Sequence, residues 1–224
     1  MEQKEIEKIA EEIINPNLDL SIDYGEIALD EFLGEGILKE VPVVKTLISL
    51  IKTGIAIRER FFIKKFLVFL TELHSKSLPK QTLEDFKTKF ESNQNYREKI
   101  TEQVLIHIES LNSIKKARIL ACLFNSHIDG HYDWNRFVDL ALALDKLSES
   151  CYVWLGKIAD GRHPDPNVKT TFLVRPQIFE NDFVIMREIQ SLLIASGICY
   201  VHGTAVTITK LGQDLYLYGI KKVS

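Results

Sequence analysis

The stretch EVPVVKTLISLIKTGIAIRERFFIKKFLVFL, residues 40–70, is the most apolar long segment of the chain and also carries six basic side chains. Its apolar residues recur at intervals of three and four, which predicts one long helix over residues 43–75. Charged residues interrupt it too often for a membrane span, which needs about 20 mostly apolar residues. A helix that is apolar around most of its circumference must be covered, so we expect it to form the middle of a core.

The same segment also fits an interaction surface. On a helical wheel Lys45, Lys52 and Arg60 share one narrow polar stripe. A basic amphipathic helix is typical of segments that lie on lipid headgroups or dock a partner protein. The sequence therefore favours a core position for this helix, with an interaction surface as the second interpretation. The candidate surface comprises Lys45, Lys52, Arg58, Arg60, Lys64 and Lys65.

Charge is distributed unevenly along the chain. Residues 1–40 hold twelve acidic and three basic side chains, whereas residues 41–75 hold six basic and two acidic ones. The segment EQKEIEKIAEEII, residues 2–14, places its isoleucines on one helical face, so we expect the acidic N-terminal helices to cover the helix of residues 43–75. Exposed ion pairs contribute only about 0–1 kcal/mol each, so burial of the isoleucine face would supply most of the stabilisation.

Composition narrows the class of protein. With 224 residues and a formal net charge of −3, the chain is long enough for a sizeable core and lacks the basic excess typical of nucleic-acid binding. Its three cysteines have no CxxC spacing, and its acidic first residues do not resemble a signal peptide. We therefore expect free thiols and a cytoplasmic protein.

The segment NSHIDGHYDWNR, residues 125–136, is a candidate cation site. It places His127, Asp129 and His131 at alternate positions, but Arg136 stands where a calcium loop has its bidentate Glu, and zinc would need ligands elsewhere. A polar turn explains the pattern better, with Gly130 closing one helix and a following Asp capping the next. No metal is predicted.

Catalytic motifs are absent from the sequence. There is no P-loop, GxGxxG, HExxH or GxSxG pattern. The loop DGRHPDPN, residues 160–167, has polar side chains but no Ser or Cys beside them that could act as a nucleophile. Cys122 lies on an apolar helical face, which is typical of a core residue. The sequence predicts no enzyme and no cofactor.

The C-terminal part has a different pattern. Three short β-rich runs, TTFLV, ICYVH and AVTIT, surround a helix predicted over residues 181–196 that stops at Gly197. In the last 45 residues, the order of this helix, the hairpin formed by ICYVH and AVTIT, and a terminal helix within TITKLGQDLY at residues 207–216 resembles the second half of a winged-helix domain. The predicted fold is mainly α: a multi-helix bundle over residues 1–147, followed by a winged-helix-like α+β module with a β-hairpin over residues 148–224. Within the bundle, Thr82 is expected to cap a helix.

In a winged-helix protein the helix of residues 181–196 would enter the DNA major groove. It offers one cation, Arg187, against the two acids Asp182 and Glu188, and the hairpin turn carries no Lys or Arg. Phosphate anchoring needs several basic side chains, so protein docking is favoured over DNA binding. DNA binding stays the first alternative.

Two segments carry a further resemblance. They are RILACLFNSHIDGHYDWNRFVDLALAL, residues 118–144, and LLIASGICYVHGTAVTITKLGQDLY, residues 192–216. In layout and in the SG…TKLG ending, the chain resembles uncharacterised bacterial proteins around the abortive-infection alpha family. The resemblance implies a bacterial accessory or phage-defence role. Together with the absence of catalytic motifs, it leads to the hypothesis of a noncatalytic protein that acts through contacts with a protein partner or a second copy of itself. Beside the DNA-binding regulator, a membrane-active effector that uses residues 43–75 is the other alternative.

Overall fold

The computed structural model describes residues 3–16, 18–27, 41–50, 57–75, 78–159, 171–172, 180–202 and 205–223. The described chain is mainly helical, with a small antiparallel sheet near the C-terminus. The elements are α1 (Gln3–Ile14), α2 (Pro42–Leu50), α3 (Ile57–Ser75), α4 (Lys80–Ser92), α5 (Gln94–Ser110), α6 (Ile114–Ile128), α7 (Trp134–Lys146), α8 (Ser150–Ala159), β1 (Thr171–Phe172), α9 (Glu180–Ala195), β2 (Cys199–His202), β3 (Ala205–Ile208) and α10 (Lys210–Leu215). A π-helical turn (Tyr216–Ile220) and a short helix, α11 (Lys221–Val223), follow α10.

The chain divides into two compact units, residues 1–132 and residues 133–224. The N-terminal unit contains α1 to α6, and the C-terminal unit contains α7 to α11 with the sheet. The predicted boundary after residue 147 falls one helix later than this division. Helix α7 packs against α10 and therefore belongs with the C-terminal unit.

Helix α3 forms the centre of the N-terminal unit. All eight residues from Ile63 to Leu70 are buried, and α3 packs along α6 and against α5. The Phe69 ring lies 6.0 Å from that of Phe124 on α6, measured between centroids. This part of the opening stretch is core, as predicted. Residues 51–56, across which one continuous helix was predicted, lie outside the described residues.

Helix α1 buries the isoleucine face that its spacing predicts. Ile6, Ile9 and Ile13 are each at most 5% exposed, and the helix packs against α2 and α5. The prediction that the N-terminal helix covers the basic segment of residues 43–75 is thus confirmed for α2, which is the first part of that segment. The ionic contact differs from the expected one, because Glu7 pairs at 3.7 Å with Arg97 of α5. The other acidic segment, residues 28–40, lies outside the described part.

The C-terminal unit is built around the sheet. Strand β3 lies in the middle, antiparallel to β1 on one side and to β2 on the other, with Thr207 opposite both Thr171 and Tyr200. Helices α8 and α9 pack on each other, α9 packs on β2, and α8 and α10 pack on β3. All three predicted β-rich runs contribute a strand.

Residues that stop and start helices explain several boundaries. Gly130 and Gly197 have φ values of 79° and 75°, the left-handed conformation expected after a helix end. The Asp133 side chain accepts a hydrogen bond from the Arg136 backbone N–H at 2.8 Å and so caps α7, as predicted. The prediction that Thr82 caps α4 is wrong: the helix begins at Lys80, directly after Pro79, and no side chain caps it.

Candidate interaction surface

The basic residues of the opening stretch lie in different environments. Lys45 on α2 is exposed, and the Arg58 side chain is 80% exposed while its Nη2 lies 2.7 Å from the Glu109 carboxylate. Arg60 is half-buried. Lys52 lies outside the described residues. Of the candidate surface, Lys45 and Arg58 are the members that the described structure presents to solvent.

Lys64 and Lys65 lie inside the N-terminal unit. Lys64 Nζ donates to the backbone carbonyl of Ile27, and burial lowers the pKa of Lys64, although Asp23 partly opposes this. Lys65 Nζ donates to the carbonyls of Glu109 and Leu111, at the end of α5. Helix C-termini leave unpaired carbonyls with partial negative charge, which a buried ammonium satisfies. These two lysines stabilise the fold and do not extend an exposed basic face, which corrects their place on the predicted surface.

The residues of the candidate cation site lie in the last turn of α6 and in the polar turn that follows it. His127 Nδ1 lies 3.0 Å from the Tyr132 backbone carbonyl, and His131 Nε2 lies 3.2 Å from the Asp129 carboxylate. The Tyr132 hydroxyl donates to the Leu123 carbonyl at 2.6 Å. Among the described residues no group of three or more His, Cys, Asp and Glu side chains is placed to hold a metal ion. The loop of residues 160–167 lies outside the described chain.

The TITKLGQDLY segment has a clear structural role. Thr209 caps α10 by accepting from the Gly212 N–H at 3.1 Å, and its hydroxyl donates to the Gly197 carbonyl at 2.9 Å. A Cβ built at Gly212 would overlap the carbonyl oxygen of Ile198, so only glycine lets the helix approach this closely. Leu215 is fully buried. The motif fixes α10 to the segment between α9 and β2.

Large apolar side chains reach solvent where α9 meets the hairpin. Leu192 and Ile194, which flank the buried Leu193, are 40% and 38% exposed, and Tyr200 and Val201 on β2 are 46% and 58% exposed. Neighbouring residues of a strand point to opposite faces, so both faces of β2 reach solvent here. None of the sequence predictions included these residues as a site. Two adjacent apolar residues in a strand that should alternate were the available signal.

Charge around these apolar residues is sparse. Glu188 on α9 is exposed, and Lys210, the first residue of α10, pairs with Asp214 at 2.8 Å. The Asp214 carboxylate also accepts hydrogen bonds from Nε and Nη2 of Arg136, at 3.1 and 2.9 Å. One of the few lysines near the hairpin is therefore already neutralised within the unit.

Comparisons with known proteins supply no function, so the functional argument depends on the residues of this chain. No family model, no curated protein and no solved structure matches this chain. No helix in the described ranges is long and apolar enough to cross a membrane.

Proposed function

We propose that the chain is a noncatalytic bacterial accessory protein that acts through protein contacts in phage defence, and that its C-terminal unit is a winged-helix-like docking module. The element order α8, β1, α9, β2, β3 and the strand order β1-β3-β2 support the winged-helix comparison. The proposal depends chiefly on the four exposed apolar side chains Leu192, Ile194, Tyr200 and Val201. Helix α9 packs on β2, so these side chains lie on adjoining elements, and several exposed apolar residues on adjoining elements favour a protein-binding site, whereas isolated ones are ordinary.

Electrostatics favours a protein partner over DNA. By sequence, α9 has three acids against the single cation Arg187, and Lys210 is held by Asp214. Binding of DNA rests mainly on several Lys or Arg side chains that contact phosphates. We therefore expect no tight, sequence-dependent shift of DNA mobility even at low salt. Such a shift would make the DNA-binding regulator the better proposal.

The docking surface is tested with a matched pair of substitutions. Val201→Glu places a charge on the hairpin, and Val153→Glu places the same charge on α8, where the side chain is 63% exposed. We expect the wild type and Val153→Glu to protect a bacterial host from phage in a plating assay and to retain the same co-purifying protein. Val201→Glu should lose both properties while its circular dichroism spectrum is unchanged. Equal behaviour of the two variants would contradict the proposal.

A further inference from the structure

A cavity of about 310 Å³ lies in the N-terminal unit, independent of the proposed docking surface. Its walls come from α1, the end of α3, the first half of α4 and the end of α6. Most of the side chains on the described wall are apolar, including Leu73, Leu83, Phe86 and Ile128. This volume and this lining are typical of small-molecule sites, which use a few polar groups for orientation.

Asn125 supplies one such polar group. Asn125 is 4% exposed, and its side-chain Nδ2 donates to the Leu73 carbonyl at 2.9 Å. That hydrogen bond fixes which side of the amide is the acceptor, because a carbonyl can only be met by the NH₂ group. Oδ1 is buried and has no hydrogen-bond partner within the described structure. A buried acceptor without a partner costs free energy that a ligand N–H or O–H would recover.

The charged groups of the wall are all cationic. Lys80 is exposed, and Lys87 is half-buried with Nζ donating to the neutral Asn15 side chain at 2.8 Å. None of the described residues that line the cavity carries a carboxylate. His74, also on the wall, is neutral near pH 7, because burial above all lowers its pKa to about 4. The cavity therefore combines an apolar interior with positive charge from two lysines.

We propose that this cavity binds a small organic acid with an apolar body, one hydrogen-bond donor and one anionic group. The body fills the space beside Leu73, Leu83 and Phe86, the donor meets Asn125 Oδ1, and the anion lies near Lys80 and Lys87. Charge complementarity at two lysines sets the preference for an anion, and the unsatisfied amide oxygen sets the need for a donor.

Three fluorescent probes separate these contributions. The first is an anilinonaphthalene sulfonate whose amine and sulfonate lie on different rings, so that it carries rings, an N–H and an anion. The second is its N-methylated form, which lacks the donor, and the third is phenylnaphthylamine, which lacks the anion. We expect the full-length protein to bind the first probe with one-to-one stoichiometry and a Kd of about 10–100 µM. The N-methylated form should bind at least about threefold more weakly, since it leaves Asn125 Oδ1 unpaired.

The site is located by variants. Lys80→Gln combined with Lys87→Gln should raise the Kd of the sulfonate about tenfold and leave that of phenylnaphthylamine unchanged. Leu83→Trp should weaken both probes by filling the cavity. Lys99→Gln, an exposed lysine on α5, is the control and should change neither. Circular dichroism checks that each variant stays folded. Failure of the wild type to bind, or a sulfonate affinity that the paired lysine change leaves unaltered, would overturn the proposal.

Discussion

Residue 212 has no room for a side chain. A Cβ there would overlap the Ile198 carbonyl oxygen and come within 2.8 Å of Ile208 Cγ1, so either the helix or the strand must move. We expect Gly212→Ala to lower the free energy of unfolding of the C-terminal unit by about 3 kcal/mol, measured by urea denaturation. Gly156→Ala is the control, since its Cβ would meet the Tyr216 ring at 3.3 Å, which needs only a small shift of that ring, and alanine favours helix. Equal losses would show that the close approach is not limiting.

His74 makes the stability of the N-terminal unit depend on pH. Its Nε2 lies 3.0 Å from the Ile13 carbonyl, and burial lowers its pKa from 6.5 to about 4. Between pH 6.5 and pH 4, His74 is therefore protonated in the unfolded chain but not in the folded one. The contribution of this group to the free energy of unfolding is complete above pH 6.5 and is lost as the pH falls toward 4. This one group should cost about 2 kcal/mol between pH 7 and pH 5.

His74→Gln, which keeps an N–H donor, tests the assignment. The variant should lose about 2 kcal/mol less than the wild type when urea midpoints are compared between pH 7 and pH 5, because glutamine does not titrate. Changes in carboxylate protonation are common to both proteins and cancel in the comparison. An identical pH dependence in the two proteins would contradict the assignment to His74.

At the scale of elements, one carboxylate joins α7 to α10. Asp214 is 4% exposed and receives Arg136 from α7 and Lys210 from the first turn of its own helix. Removing one partner of a buried pair leaves the other charge uncompensated, so Asp214→Asn should cost about 3 kcal/mol in urea denaturation. Lys210→Gln, whose side chain is 73% exposed, should cost at most about 1 kcal/mol. A loss for Asp214→Asn as small as that for Lys210→Gln would mean that the pair contributes little.

Element ends were predictable where a side chain acts on its own backbone. Gly130, Asp133 and Gly197 do what their residue types favour, because left-handed φ and capping are local properties. The Thr82 prediction is wrong because α4 begins at Lys80, three residues before the start at Leu83 that a Thr82 cap would give. Lys65 was placed on a surface because its spacing does not reveal that the carbonyl end of α5 lies beside it.

At the scale of the whole molecule, the helical class and the terminal sheet followed from periodicity and β-rich runs. The division of the chain into two units did not follow from these patterns. Buried Phe137, Leu140 and Leu144 give α7 an apolar face, but such a face would suit either unit equally well. Its partner α10 lies about 70 residues further along the chain, and their pairing through Arg136 is a long-range contact that sequence spacing does not encode. Likewise, the cavity arises from packing between segments that are distant in the sequence.

Removing the first sixteen residues should change the association state. Helix α1 covers apolar surface on α2 and α5, so its loss exposes that surface to water. We expect the truncated protein to self-associate or to bind anionic vesicles, measured by light scattering and vesicle sedimentation. Glu7→Gln with Glu11→Gln, which keeps the isoleucine face, should leave the association state of the full-length protein unchanged. A truncated chain that stays folded, keeps the association state of the full-length protein and does not bind vesicles would contradict the covering role of α1.

The buried thiols give each unit an internal reporter. Cys122 is in the N-terminal unit, Cys151 and Cys199 are in the C-terminal unit, and all three are buried thiols outside any disulfide. Burial also raises the pKa of Cys199 to about 12, so this thiol is protonated and unreactive while the unit stays folded. Alkylation can then proceed only through opening, and its rate follows the opening free energy when reclosing is fast. Peptide-resolved mass spectrometry of a single alkylation reaction would thus measure the opening of each unit separately, without any introduced label.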